Sequence, residues 1–227
     1  MQNFLAQFDL NSIRLLVIQV LAVLLCIVVH EVCHGVAAYC LGDPTAKEQK
    51  RLSPNPLRHI DPFGALMMLV VGFGWAKPVP VDMRHFKNPK IGMAITAFAG
   101  PLSNFILAFL LGFLTHASLG AFYASGSEVL YFFAEFFYSS MYLSIGLGIF
   151  NLIPFPPLDG SKILAMFLPD RFHMTLMQYE RYGMLILMAV LWFGLLDMPL
   201  YAARNWMFDL FYDNTIFFRE IIYSMLR

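Results

Sequence analysis

The chain has 227 residues, 59% hydrophobic and only 13% charged, with a mean hydropathy of +0.65. Soluble domains run at about 45–50% apolar and about 25% charged, so both departures point to lipid as the solvent. Net charge is zero, which removes the basic footprint of a nucleic-acid binder. No internal repeat, Gly/Ser linker or charged tail divides the chain, so the reading is one domain over 1–227.

Leu15 to Val29 is apolar except for Gln19, and the pattern runs on through a His/Glu cluster to Leu41. At 1.5 Å per residue this crosses the roughly 30 Å hydrocarbon layer. A weakly basic start (Arg14 only) and the absence of an A-x-A site favour a retained helix over a signal peptide. Cys26, Cys33 and Cys40 recur every seven residues in this stretch, near one helix face, where they read as packing residues and not as disulfide partners.

Ile91 to Thr115 predicts a second span despite its internal Gly100-Pro101, and Val129 to Ile153 a third, carrying Glu135. Gly183 to Ala203 is a fourth candidate, clean only to Leu196. The aromatic tail from Asn205 to Arg227 carries Asp209, Asp213, Arg219 and Glu220 and reads as an interfacial helix. The core is expected over 15–168. Pro62 to Ala76 is apolar but too short to span, and both flanks are basic. A re-entrant segment or β-hairpin near residues 62–81, shielded by the helices, fits both facts. The fold class is therefore an all-α polytopic membrane protein of about four spans plus that excursion.

Segments 42–61, 77–90 and 154–182 hold eleven of the fifteen Lys and Arg, and the loop 116–128 holds none. By the positive-inside rule the basic segments face the cytoplasm, with both termini outside.

His30-Glu31-Val32-Cys33-His34 is H-E-x-x-H, a helical zinc motif of metalloproteases. Residues four apart lie about 40° apart around the axis, so both imidazoles can reach one metal. Glu31 sits where it can take a proton from an attacking water. Ionisable groups inside a membrane helix are costly, which makes structural histidines the weaker explanation. A catalytic zinc needs a third protein ligand, and His59, Asp61, His85 and Asp159 are the candidates on the basic side. His34 lies roughly 12 Å inside its helix end. The third span ends in Asn151-Leu152-Ile153-Pro154-Phe155-Pro156-Pro157-Leu158-Asp159-Gly160, whose prolines unwind it so that Asp159 can turn back toward the metal. Asp159 is the expected third ligand. Asn104 and Asn151 could hydrogen-bond substrate backbone or a developing oxyanion, or simply satisfy a neighbouring helix.

These blocks resemble the site-2 protease family of intramembrane metalloproteases, in particular its short bacterial members without PDZ or CBS domains. The matching residues are His30-Glu31-x-x-His34-Gly35, Gly42-Asp43-Pro44-Thr45-Ala46 and Asn55-Pro56-Leu57-Arg58-His59-Ile60-Asp61-Pro62. They continue with Gly74-Trp75-Ala76-Lys77-Pro78-Val79-Pro80-Val81, Ala99-Gly100-Pro101-x-x-Asn104 and the Asn151–Gly160 block. The resemblance implies one zinc on His30, His34 and Asp159, Glu31 as general base, and transmembrane segments of other proteins as substrates. It implies a multi-pass cell-membrane protein whose active site lies toward the cytoplasm. A metal transporter or a helix-binding scaffold would use the same ligands, but neither needs Glu31 beside the metal.

Overall fold

The computed structural model describes residues 10–64, 67, 75–169 and 180–227. Its helices are α1 (Leu10–Cys40), α2 (Thr45–Glu48), α3 (Pro89–Ser125), α4 (Glu128–Asn151), α5 (Asp159–Ala165), α6 (Glu180–Trp192), α7 (Asp197–Thr215) and α8 (Phe217–Leu226). Three of them, α1, α3 and α4, are long and apolar enough to cross a membrane. The chain is an all-α polytopic membrane protein.

The side-chain distribution on α3 explains how the bundle holds together. Its lipid-side face carries Ile91, Ile95, Phe98, Leu102, Ile106, Leu110 and Leu114, all exposed, at helical spacing. Its buried face carries mostly small residues, among them Ala94, Ala97, Gly100, Ala108, Gly112 and Gly120. In lipid there is no hydrophobic gain from hiding leucine, so helices associate through close backbone approach along such small-residue faces. The buried face of α4 follows the same logic with Ala134, Ser140, Ser144 and Gly148.

α3 occupies the centre and packs against α1, α4, α5, α7 and α8. Its Asn88 side chain caps the start by accepting from the Ile91 N–H at 3.2 Å. Gly126, in the left-handed region at φ +69°, ends it. The expected loop 116–128 is therefore only the turn Gly126–Ser127, the rest being helix. Near that end of α4, Arg14 of α1 donates to Glu135 at 3.0 Å and lies over the Tyr131 ring, which accounts for the carboxylate in the third span.

The carboxyl-terminal region differs from the sequence expectation of a span over 183–203 followed by an interfacial tail. The helix breaks after Trp192, and the α6 and α7–α8 directions differ by 83°. Gly194 adopts φ +66°, and the Leu195 N–H closes back on the Val190 carbonyl at 3.2 Å, a helix-ending motif that needs glycine. α7 then packs against α3 and α4, with Phe208 and Thr215 its buried residues. Phe208 is buried with Ala108, Leu111, Met141 and Ile145, and its ring meets Tyr138 and Tyr142 edge-on. Arg204 lies 4.1 Å over the Tyr142 ring. Phe208 and Tyr212 of the tail thus meet rings of α4.

The basic segments 42–61 and 77–90 meet at one end of the bundle. Asp43, buried, accepts from the Thr45 N–H (3.0 Å) and hydroxyl (2.5 Å) with one oxygen and from the Asp82 N–H (2.8 Å) with the other. His85 Nδ1 lies 3.2 Å from the same carboxylate. Arg51 donates to the Lys77 and Pro78 carbonyls at 2.6 and 3.1 Å, and to that of Arg58. The segment between them leaves and returns at one place. Ile60 and Ala76 form an antiparallel bridge, and the Lys77 N–H donates to the His59 carbonyl at 2.9 Å. The two ends of the expected re-entrant stretch thus meet; its residues 65, 66 and 68–74 lie outside the described ones.

Candidate metal centre

His30 and His34 sit one turn apart on α1 and face α3. Their Nε2 atoms are 2.9 Å apart, and both lie 3.1 Å from Asp159 Oδ2. Among the described residues this is the one group of three or more His, Cys, Asp or Glu side chains with metal-holding geometry, its ligand atoms all within 4.8 Å of one another. Cys33 is not in it. His59 is buried with Nε2 on the Ser53 carbonyl at 2.8 Å, Asp61 caps the Phe63 and Gly64 N–H groups, and His85 faces Asp43. Those three are loop-building residues.

The route of Asp159 to the imidazoles follows from the chain after α4. Asn151 ends that helix, and Leu152 to Leu158 runs as a string of turns, with Phe155 N–H on the Ile153 carbonyl at 2.8 Å and Leu158 N–H on that of Phe155 at 3.0 Å. Leu158 then opens α5, with Asp159 in its first turn, where a carboxylate suits the positive end of the peptide dipoles. Gly160 lets this turn press onto the end of α4, since a Cβ there would stand 2.3 Å from the Leu152 carbonyl oxygen. Burial works against the charge of Asp159. The two imidazoles that face it outweigh that cost and lower its pKa. Its other oxygen has the Lys162 ammonium 4.0 Å away.

α3 supplies the floor of the site. A Cβ on Gly100 would stand 2.4 Å from His34 Nε2 and 2.7 Å from His30 Cε1, so only glycine leaves the two rings their places. The Thr96 carbonyl accepts from His34 Nδ1 at 2.7 Å, which puts the proton on Nδ1 and leaves the Nε2 lone pair for a metal. Asn104 Nδ2 stands 3.0 Å from His30 Nδ1, on the far side of that ring from the ligand atom. Its side chain is fully buried. The amide of Asn151 is occupied within its own helix, donating to the Leu147 carbonyl at 2.9 Å.

Glu31, half-buried, turns its Oε2 to the Val79 N–H at 2.9 Å. Thr96 and Val79 escaped the sequence reading because backbone groups carry their roles, which residue type does not report. Gly100 was visible only as part of a motif. Three converging ligand atoms, one imidazole already holding the ligand tautomer and a cleared floor fit a small divalent metal with N and O preference, as zinc has.

A sequence pattern described as Peptidase family M50 matches residues 121–194, which include Asp159. "Putative zinc metalloprotease YwhC" of Bacillus subtilis is 41% identical over 175 residues, covering 75% of this chain and 78% of that protein. The chain belongs to peptidase family M50. "Putative zinc metalloprotease Rip2" of Mycolicibacterium smegmatis is 26% identical over 208 residues, 88% of this chain and 76% of the relative. No solved structure matches. As an M50 member the chain is a zinc-dependent metalloprotease of the membrane.

Proposed function

We propose that this protease hydrolyses peptide bonds within transmembrane segments of other membrane proteins, with His30, His34 and Asp159 as zinc ligands and Glu31 as general base. The observation that carries the reading is the convergence of the three ligand atoms inside a bundle of membrane-length helices, one ligand pair being on such a helix itself. A bound zinc supplies Lewis acidity toward the scissile carbonyl and toward water. Glu31 has one carboxylate oxygen on Val79 and the other left to take a proton from the attacking water and pass it to the leaving amine. His34 is held in its ligand tautomer by Thr96, and Asp159 is drawn in by the turns after α4.

The basic segments 42–61 and 77–90 gather at the end of the bundle nearest the site, which supports a cytoplasmic-facing active site by the positive-inside rule. A transporter would need a chain of ligand groups through the layer, and among the described residues a single group of three is found.

The test uses purified full-length protein in detergent with a single-span substrate. Glu31→Gln is expected to keep about one zinc per chain and lose cleavage by about 10²–10⁴-fold, whereas His30→Ala and Asp159→Ala lose the metal. Full zinc and full activity in Asp159→Ala would remove Asp159 from the site, and cleavage by Glu31→Gln at the wild-type rate would remove the general base.

A further inference from the structure

His30 and His34 are alike in residue type, but their second nitrogens face different groups. His34 Nδ1 has a carbonyl, an acceptor that cannot be anything else. His30 Nδ1 has the side-chain amide of Asn104, which offers a donor at one end and an acceptor at the other. Nδ2 stands 3.0 Å from Nδ1, and Oδ1 is buried without a hydrogen-bond partner. Read as it stands, Nδ2 donates to Nδ1, and the imidazole proton sits on Nε2, from which it reaches Asp159 Oδ2 at 3.1 Å. Holding a cation through Nε2 asks the reverse of this ring. The lone pair must be on Nε2 and the proton on Nδ1, and Nδ1 then needs an acceptor.

We propose that Asn104 is a positioning residue for the metal centre: turned half a revolution about its last side-chain bond, its amide presents Oδ1 to the Nδ1–H of His30 and fixes that imidazole in the ligand tautomer. The turn gives the orphaned Oδ1 a donor and moves the Nδ2 amide into the place Oδ1 leaves, inside the same volume. The full burial of Asn104 keeps water from taking the place of the amide. The Asn104 backbone is anchored as well, its carbonyl accepting from the Ser144 hydroxyl at 2.8 Å, so α4 steadies the residue that steadies the ligand. The spacing Gly100-Pro101-x-x-Asn104 thus has two tasks on one face of α3, room for the rings at Gly100 and a partner for His30 one turn later.

This inference rests on His30 being a zinc ligand, and its test separates the two ideas. Zinc dissociation constants are measured by chelator competition on the full-length protein for wild type, Asn104→Leu, Asn104→Asp and His30→Ala. Loss of a partner behind a metal-ligating histidine weakens metal binding by about 10–100-fold. Asn104→Leu is expected to fall in that range, and Asn104→Asp, an obligatory acceptor of the same shape, to stay within a few-fold of wild type. Asn104→Leu binding as tightly as wild type, or Asn104→Asp as weakly as Asn104→Leu, overturns the proposal while a failing His30→Ala leaves the ligand set standing. Unchanged binding in His30→Ala removes the ligand reading itself. A measurement on the wild type guards against misfolded variants. In zinc-loaded protein labelled with ¹⁵N-histidine, the His30 Nδ1 resonance should carry a slowly exchanging proton, and a bare Nδ1 there overturns the proposal.

Discussion

Glu31 Oε2 accepts the backbone N–H of Val79 at 2.9 Å. The contact ties the H-E-x-x-H helix to the stretch that begins at Lys77, the two residues being 48 positions apart. It also leaves that stretch little free backbone. Arg51 takes the Lys77 and Pro78 carbonyls, Glu31 takes the Val79 N–H, and Pro78 and Pro80 donate nothing.

From this contact follows a difference between two substitutions at one position. Glu31→Gln keeps an oxygen for Val79 and should leave the 77–82 segment in place. Glu31→Ala strands the N–H of the buried Val79 at a cost of about 1–3 kcal/mol. Both should be inactive, but only Glu31→Ala should show faster limited proteolysis at Lys77 or Arg84 and a lower melting temperature. Equal protease resistance in the two would show that Glu31 does not hold the segment.

Gly100→Ala sets local propensity against site geometry. Alanine favours a helix over glycine by about 0.8–1 kcal/mol, so α3 should be, if anything, more stable. The new methyl, however, would sit 2.4 Å from His34 Nε2, closer than any real contact. The expected result is unchanged helicity by circular dichroism with zinc content well below one per chain. Normal zinc binding would mean that α1 and α3 separate more readily than their packing suggests.

Much of this arrangement is legible in the residues, and the parts that are not share a cause. The spans of α1, α3 and α4 follow from unbroken hydropathy, and the pairing of His30 with His34 from helix period. Asp159 follows from prolines that stop α4 and a glycine that lets the chain fold back. What stays hidden is made by backbone atoms, the Thr96 carbonyl and the Val79 N–H, which have no residue signature. The packing of the tail is hidden for a different reason. Phe208 and Tyr212 suit a headgroup belt and an aromatic helix seam equally, and only the turn at Gly194 brings them against α4. The same holds for Asn104, where the amide's partner depends on which face of α3 meets His30.

The clasp at Asp43 predicts a pH response. Burial opposes the charge of Asp43, but the Thr45 hydroxyl and N–H, the Asp82 N–H and the nearby His85 outweigh it and lower its pKa. A carboxyl depressed in the folded state contributes stability above its unfolded value near pH 3.9 and loses it as pH falls through the folded value. The loop 77–90 should therefore stay docked from neutral pH down to about pH 4 and loosen below that. Asp43→Asn should destabilise by about 1–3 kcal/mol at pH 7 and flatten the acid limb of a melting-temperature series. A steep acid limb surviving in Asp43→Asn would assign it to other carboxylates.

Lys50 and Lys87 belong to segments that Asp43 and Arg51 draw to one end of the bundle. Single cysteines at these two positions, in a background without Cys26, Cys33 and Cys40, should label alike with an impermeant reagent in sealed vesicles. They should react only when the cytoplasmic face is outward. Labelling from opposite faces would require residues 62–76 to cross the membrane.

The last expectation concerns the substrate, and it starts from where the ligand atoms lie. His34 is six residues from the end of α1 at Cys40, and His30 ten, so the site sits roughly 9–15 Å inside that end. A peptide bond in a membrane helix hides its carbonyl in a hydrogen bond to a residue one turn on, and no water competes for it there. On the proposed function, a transmembrane substrate has to open locally to reach His30, His34 and Asp159, and cleavage is expected near Gly, Pro or Asn in its cytoplasmic half. Replacing those substrate residues with Leu or Ala raises helix propensity by up to about 1 kcal/mol for Gly and about 3 for Pro. If opening precedes cleavage, rates should fall by up to about 5-fold and about 10²-fold respectively. The measurement pairs wild-type and helix-stabilised substrates with purified enzyme and maps the products by mass spectrometry. Cuts in the outer half would displace the site from its proposed depth, and rates insensitive to helix stability would show that opening is not required before cleavage.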